Sequence, residues 1–388
     1  MTTNAGNTVS HAYDAAGRPT GVTFPNGVSG TATYDSSTGQ LTTIGYVQGV
    51  TDLYSAAYGY NTVGNIESIV EAGQIGVRTR QFNYDDHQRL TKGVSTAEPA
   101  TNAYDAVGNR ESSHLSALNI TNDADRLLED GDYTYVYDAN GNLITQTEKV
   151  GGGVTTYSYD AQDQLIGISK SDGTQINYAY DAIGRRIAKT IDSAVTKYVY
   201  DGTDILIEVD AANVVQVRYA HGDRVDQPLA FERAGAELYY HADHQVSIRQ
   251  VSDGLVTVVK QYSYDSFGQY VERIETVEQI YGYTAREQDA ESDLYYYRSR
   301  YYSPRLGRFI QEDKIGFGGN SVNIYRYVDN NPMNSIDPDG LFLREFGANF
   351  GRRHGWRVDH WWPWRGAWCY CWWCYWRSSR SLRRRKPH

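Results

Sequence analysis

Residues 174–191 read TQINYAYDAIGRRIAKTI. Ile176, Tyr178 and Tyr180 alternate with polar or small residues, the period of a strand with one buried face. Asp181 follows, and its carboxylate can accept backbone N–H bonds in a turn. Gly184 supplies the positive φ that a tight connection often needs. Ile187, Lys189 and Ile191 resume the alternation. The unit is strand, turn, strand.

The same Tyr-Asp-x-x-Gly core stands at Tyr13, Tyr104, Tyr137 and Tyr264, with looser copies at Tyr34, Tyr60, Tyr84, Tyr159 and Tyr200. From Tyr84 on, neighbouring copies are 20, 22, 21 and 20 residues apart, with one gap of 33 that holds the degenerate copy Asn122-Asp123-Ala124-Asp125-Arg126-Leu127. A period near twenty marks a repeat architecture, in which each unit buries its apolar face against its neighbours. The expected fold is mainly β: antiparallel hairpins in one long sheet that must curl, because a twisted sheet of many strands does not stay flat. An acid that recurs once per repeat reads as a turn residue. Between Asp201 and Tyr264 the strands continue while Tyr-Asp is lost. His241 and His244, three apart in a strand, face opposite ways, so no metal site is expected there.

Composition sets a boundary. The chain has 34 Tyr against 9 Phe, and Tyr suits strand faces that are apolar with a polar tip. Residues 342–388 carry ten Arg and one Lys against Glu345 and Asp359, a net +9, which leaves −19 for residues 1–341. An acidic body excludes nucleic acid as its partner, since phosphate binding needs clustered Lys and Arg. All eight Trp and all three Cys (Cys369, Cys371, Cys374) lie in the tail. The N-terminus shows no secretory signal, and no apolar run approaches the ~20 residues of a membrane span. Three regions are expected: a repeat sheet (1–270), a distinct core (271–341) and a short basic tail (342–388).

The core ends in residues 294–341, LYYYRSRYYSPRLGRFIQEDKIGFGGNSVNIYRYVDNNPMNSIDPDGL. Two acids, Asp313 and Asp337, stand in this tyrosine-rich setting, with Arg300 thirteen residues before the first. The repeats, then YTAREQDAESDLYYYRSRYYSPRLGRFIQED, then PMNSIDPDGL, closely resemble RHS/YD-repeat proteins and their RHS repeat-associated core. The resemblance covers residues from about 11 to 341. It implies a spiralling β-shell plugged by a core domain that cuts the chain after its DPxGL motif. The peptide beyond the cut would be a variable effector, often a toxin, held inside the shell. It further implies that Arg300, Asp313 and Asp337 carry the cleavage, that the bond is Leu341–Phe342, and that Pro338 and Gly340 belong to the motif. The family's settings are bacterial competition and insecticidal toxins, so a secreted or surface-delivered protein is expected.

The chemistry is coherent without the family. Two close carboxylates repel, so one holds its proton while the other ionises, and a guanidinium biases which. The ionised acid could activate water and the protonated one polarise the carbonyl. Gly340 would let the backbone approach the acids. Arg305 and Arg308 are rivals to Arg300, and Lys314 puts a charge beside Asp313 where the family commonly has Pro. No cofactor or metal is expected. Cys369, Cys371 and Cys374 with His360 or His388 match no common zinc spacing. The tail reads best as a frameshifted or decayed effector remnant, because Trp, Arg, Cys and Gly share G-rich codons; a membrane or nucleic-acid segment is the alternative. The expected function is the C-terminal part of a polymorphic toxin that encapsulates and releases its own C-terminal peptide. The chain looks short for a full shell, so a further N-terminal RHS part or secretion components would complete it. Alternatives are a non-catalytic surface protein that binds carbohydrate or a partner cell, and an inert scaffold.

Overall fold

The computed structural model describes residues 6–73, 76–94, 101–319, 321–341 and 343–345. Phe342 and residues 346–388, with the tail cysteines, His360 and His388, lie outside the described residues. Nearly all regular structure is antiparallel strand, each paired with its sequence neighbour. Eight strands from Ser10–Tyr13 to Leu90–Val94 make one sheet, and sixteen from Ile120–Thr121 to Tyr270–Glu275 make a second. The two outer strands of the larger sheet do not pair with each other, so the sheet curls without closing.

One turn chemistry explains the repeats. In the hairpin of Gln175–Tyr180 and Arg186–Ile191, Asp181 Oδ1 accepts the amides of Ile183 and Arg185 at 3.1 and 2.9 Å. Its other oxygen takes Arg185 Nε at 2.8 Å, and Gly184 N donates to Asp181 O. Gly184 has φ +87°. The same bonds to Oδ1 recur at Asp14, Asp85, Asp105, Asp160 and Asp265. They also recur at Asn122, the degenerate copy.

The tyrosine has its own task. The hydroxyls of Tyr34, Tyr60, Tyr84, Tyr104, Tyr159, Tyr180, Tyr200 and Tyr264 each donate to a backbone carbonyl at 2.6–2.9 Å. Tyr180 reaches Leu165 O, and Leu165 is the residue opposite Tyr159, the tyrosine of the preceding repeat. The rings therefore stitch each repeat to the one before it. Phe would fill the space but lose that hydrogen bond.

One expectation needs correction. Ile187 does not share the inner face with Lys189 and Ile191. The register slips between Ala179 and Tyr180, so Tyr180 faces Arg186 and Ile187 is the bulged residue, exposed to solvent. A β-bulge adds one residue to one strand and reverses the alternation beyond it. The stretch from 201 to 264 also keeps the turn after losing its tyrosine. Asp210, Asp243 and Asp253 bind the same two amides, and the left-handed position is taken by Asn213, Val246 and Val256. The strand Pro228–Arg233 there went unread.

The core segment forms a four-stranded sheet of Glu287–Asp289, Leu294–Tyr297, Arg300–Ser303 and Arg308–Phe309. Both of its faces are buried. Tyr295, Tyr297, Tyr302 and Phe309 pack with the 198–264 part of the large sheet. Leu294, Tyr296, Tyr301 and Ile310 pack with its 127–178 part. Period-two alternation thus fills two cores from one small sheet. Each buried ring removes on the order of 200 Å² from water, which makes the plug a principal source of cohesion. His241 is fully buried against Ser252 Oγ, and His244 bonds Met333 O, so each has a structural partner.

Candidate functional site

Arg300 lies at the start of its strand, opposite Tyr297 across a tight turn. Its guanidinium is buried, 3.7 Å from the centroid of the Phe309 ring. Nη2 contacts Asp313 Oδ2 at 2.9 Å and Asp337 Oδ2 at 3.6 Å. Nε donates to Gly340 O at 2.6 Å and Nη1 to Ile324 O at 2.8 Å. One side chain thus gathers the two acids and the residue before Leu341. Arg305 and Arg308 are elsewhere: Arg305 pairs with Asp130 and Asp132, and Arg308 donates to Asp125 O.

Both acids head a D-x-x-G turn. Asp313 Oδ1 accepts Ile315 N at 3.0 Å, and Gly316 N returns to Asp313 O at 2.8 Å. Asp337 Oδ1 accepts Leu341 N at 3.0 Å, while Gly340 takes φ +68°. Ser335–Ile336 pairs with Arg344–Glu345, which puts Asp337 at the base of a short hairpin. A Cβ on Gly319 would lie 3.4 Å from Leu341 O and 3.5 Å from Asp313 Oδ2, so that carbonyl and that acid border one narrow gap.

Burial raises the Asp313 carboxyl above its ordinary value, against the pull of Arg300 and the Ile315 amide. The cause is desolvation rather than the mutual repulsion expected from the sequence. Burial likewise brings Arg300 down to about 10, opposed by Asp313 and Asp337, so it remains charged at neutral pH. Lys314 does not crowd the pair: the charges that act on it are Asp160 and Asp163. Gly340 serves differently from expectation. A Cβ there would lie 2.6 Å from Tyr297 O, so its lack of a side chain admits the turn at 297–300 rather than the acids.

A family model described as teneurin YD-shell matches residues 31–333, and one described as RHS repeat matches residues 1–29. The chain belongs to the RHS/YD-repeat shell family. Among its relatives is the tRNA3(Ser)-specific nuclease WapA of Bacillus spizizenii, 31% identical over 261 residues, which span 62% of this chain and 11% of that protein. Another is the double-stranded DNA deaminase toxin A of Burkholderia cenocepacia, 27% identical over 323 residues, 73% of this chain and 22% of the relative. This YD-shell chain therefore spans under a quarter of the length of these relatives. The solved TcdB2-TccC3-Cdc42 complex shares its fold, with a TM-score of 0.63 and 18% identity over 86% of this chain and 19% of that one. No helix among the described residues is long and apolar enough to cross a membrane.

The sequence pointed to Arg300, Asp313 and Asp337, and these three meet. It missed Gly319 and Ile324. Their contributions are a gap and a carbonyl brought in by loops, and no local pattern announces them.

Proposed function

We propose that this chain is the scaffold portion of an RHS polymorphic toxin that cuts itself once, between Leu341 and Phe342, and releases a C-terminal peptide. The observation that carries this reading is the shared guanidinium. Arg300 Nη2 touches both carboxylates, and its Nε holds Gly340 O at 2.6 Å, one residue before the bond. Asp313, whose burial favours the acid form, gives its proton to the Leu341 carbonyl oxygen. Asp337 takes a proton from the attacking water and passes it to the departing nitrogen. As the C–N bond breaks, Asp313 takes its proton back from the diol, so one water is consumed and Leu341 ends as a carboxylic acid that ionises in water. The reaction happens once per chain and needs no cofactor.

The domain division at 270 and 341 belongs to this reading, as do the cargo and its route. The nuclease and the deaminase toxin resemble overlapping parts of the chain, 62% and 73% of it, yet are named for unlike activities, which supports a common shell with an exchangeable C-terminal effector. Intact mass spectrometry of the folded chain tests the proposal. The expected result is two fragments that part after Leu341, and a whole chain for Asp337→Asn. A folded wild-type chain that stays whole would overturn the reading.

A further inference from the structure

The loop that precedes Leu341 is held in register by the turn at 298–300. Three successive residues of the tight turn bind three successive carbonyls. Arg298 Nη1 donates to Pro338 O at 2.6 Å, Ser299 N to Asp339 O at 3.3 Å, and Arg300 Nε to Gly340 O at 2.6 Å. Leu341 O is the next carbonyl in the series. Arg298 has φ +56° and a second attachment: its Nη2 lies 2.6 Å from Asp226 Oδ1, while Nη1 also reaches the Asp339 carboxylate at 3.3 Å. Asp226 does not belong to the plug. It sits in the connection between the strands Val215–His221 and Pro228–Arg233 of the large sheet. It is buried, and it also takes Arg286 Nη1 at 2.6 Å.

We infer that Asp226 and Arg298 are positioning residues that tie self-cleavage to the closing of the repeat sheet on its plug. Arg298 carries the loop register, and Asp226 fixes Arg298. Before the 222–227 connection docks, Arg298 has no buried anion to orient it, and the bond is not presented to Asp313 and Asp337. A chain whose sheet is incomplete would therefore keep its cargo attached. A buried carboxylate shared by two guanidiniums suits this role: without it Arg286 still has Glu287, but Arg298 keeps only the more exposed Asp339. The inference rests on the cleavage reading but makes a separate structural claim.

The full chain is produced by cell-free synthesis and its cut followed by intact mass over time. Arg298→Met is expected to slow the cut roughly 100-fold, the scale for a reacting group misplaced by about 1 Å. Arg298→Lys, which keeps one donor, should restore part of the rate, and Asp226→Asn should slow it as well. The shape of the pH–rate profile should stay that of wild type, because neither residue exchanges a proton. Hydrogen exchange is read in parallel on Asp313→Asn chains with and without Arg298→Met. Faster exchange at residues 339–341, with 294–303 unchanged, is the expected result. Equal cutting rates for Arg298→Met and wild type overturn the inference, as does unchanged exchange in the loop. Global loss of protection would assign Arg298 to folding alone and also overturn it. A wild-type chain that never cuts removes the cleavage reading instead, and the exchange result still decides whether Arg298 sets the loop.

Discussion

Asp181 and Asp313 head the same four-residue turn and do opposite things. Each accepts the amide two residues on, and each has a glycine three residues on whose N–H returns to its carbonyl. Asp181 adds the Arg185 amide and the Arg185 side chain, four residues away. Against burial that would raise it, those bonds hold its carboxyl below the ordinary value. Asp313 gives its second oxygen to Arg300, from another strand, and burial keeps its carboxyl raised. The motif does not fix an acid's role. What matters is how many donors saturate it and how far it is from water.

Asp337→Asn should have the largest effect, slowing the cut by roughly 100- to 10,000-fold, the usual contribution of a positioned acid or base. Single-turnover mass spectrometry reads this directly. Gly340→Ala forces a side chain onto Tyr297 O at φ +68°. It should slow the cut roughly 100-fold by moving the loop, while the left-handed conformation costs about 1–2 kcal/mol. Denaturant titration separates the two effects. Asp181→Ala should cost about 1 kcal/mol, the value of a lost cap, and leave cutting unchanged. Tyr180→Phe should cost about 1 kcal/mol for its bond to Leu165 O, with cutting again unchanged.

The pH dependences also diverge, and their signs follow from linkage. A carboxyl raised on folding favours the folded state below its unfolded value and loses that contribution as pH rises through its folded value. Asp313→Asn, which mimics the protonated acid, should therefore raise the melting temperature at neutral pH. The cutting rate should fall as pH rises through the raised Asp313 value. A carboxyl lowered on folding acts in reverse: the contribution of Asp181 is present above its unfolded value and lost as pH falls through its folded value.

The repeats were legible because two periods coincide, the alternation of a strand and the twenty-residue return of Tyr-Asp. The face of Ile187 was not, since a bulge is set by the turn and leaves no mark on the apolar pattern. The shared turn chemistry of Asp210, Asp243 and Asp253 was not singled out, because the tyrosine, rather than the Asp, served as the marker. The site residues could be named by family likeness, but their meeting could not be read, because it depends on loops that carry no periodic signal. Lys314 was expected to disturb the dyad from its position in the chain. Its side chain is exposed, and the charges that bear on it are those of a repeat turn, Asp160 and Asp163, some 150 positions earlier.

The most direct test puts one substitution into both versions of the turn. Asp181→Asn and Asp313→Asn chains are synthesised alongside wild type and followed by intact mass, with folding confirmed by thermal melting. The account predicts that wild type and Asp181→Asn both part after Leu341 and that Asp313→Asn stays whole while remaining folded. Equal cutting by the two variants, or no cutting by folded wild type, would contradict it.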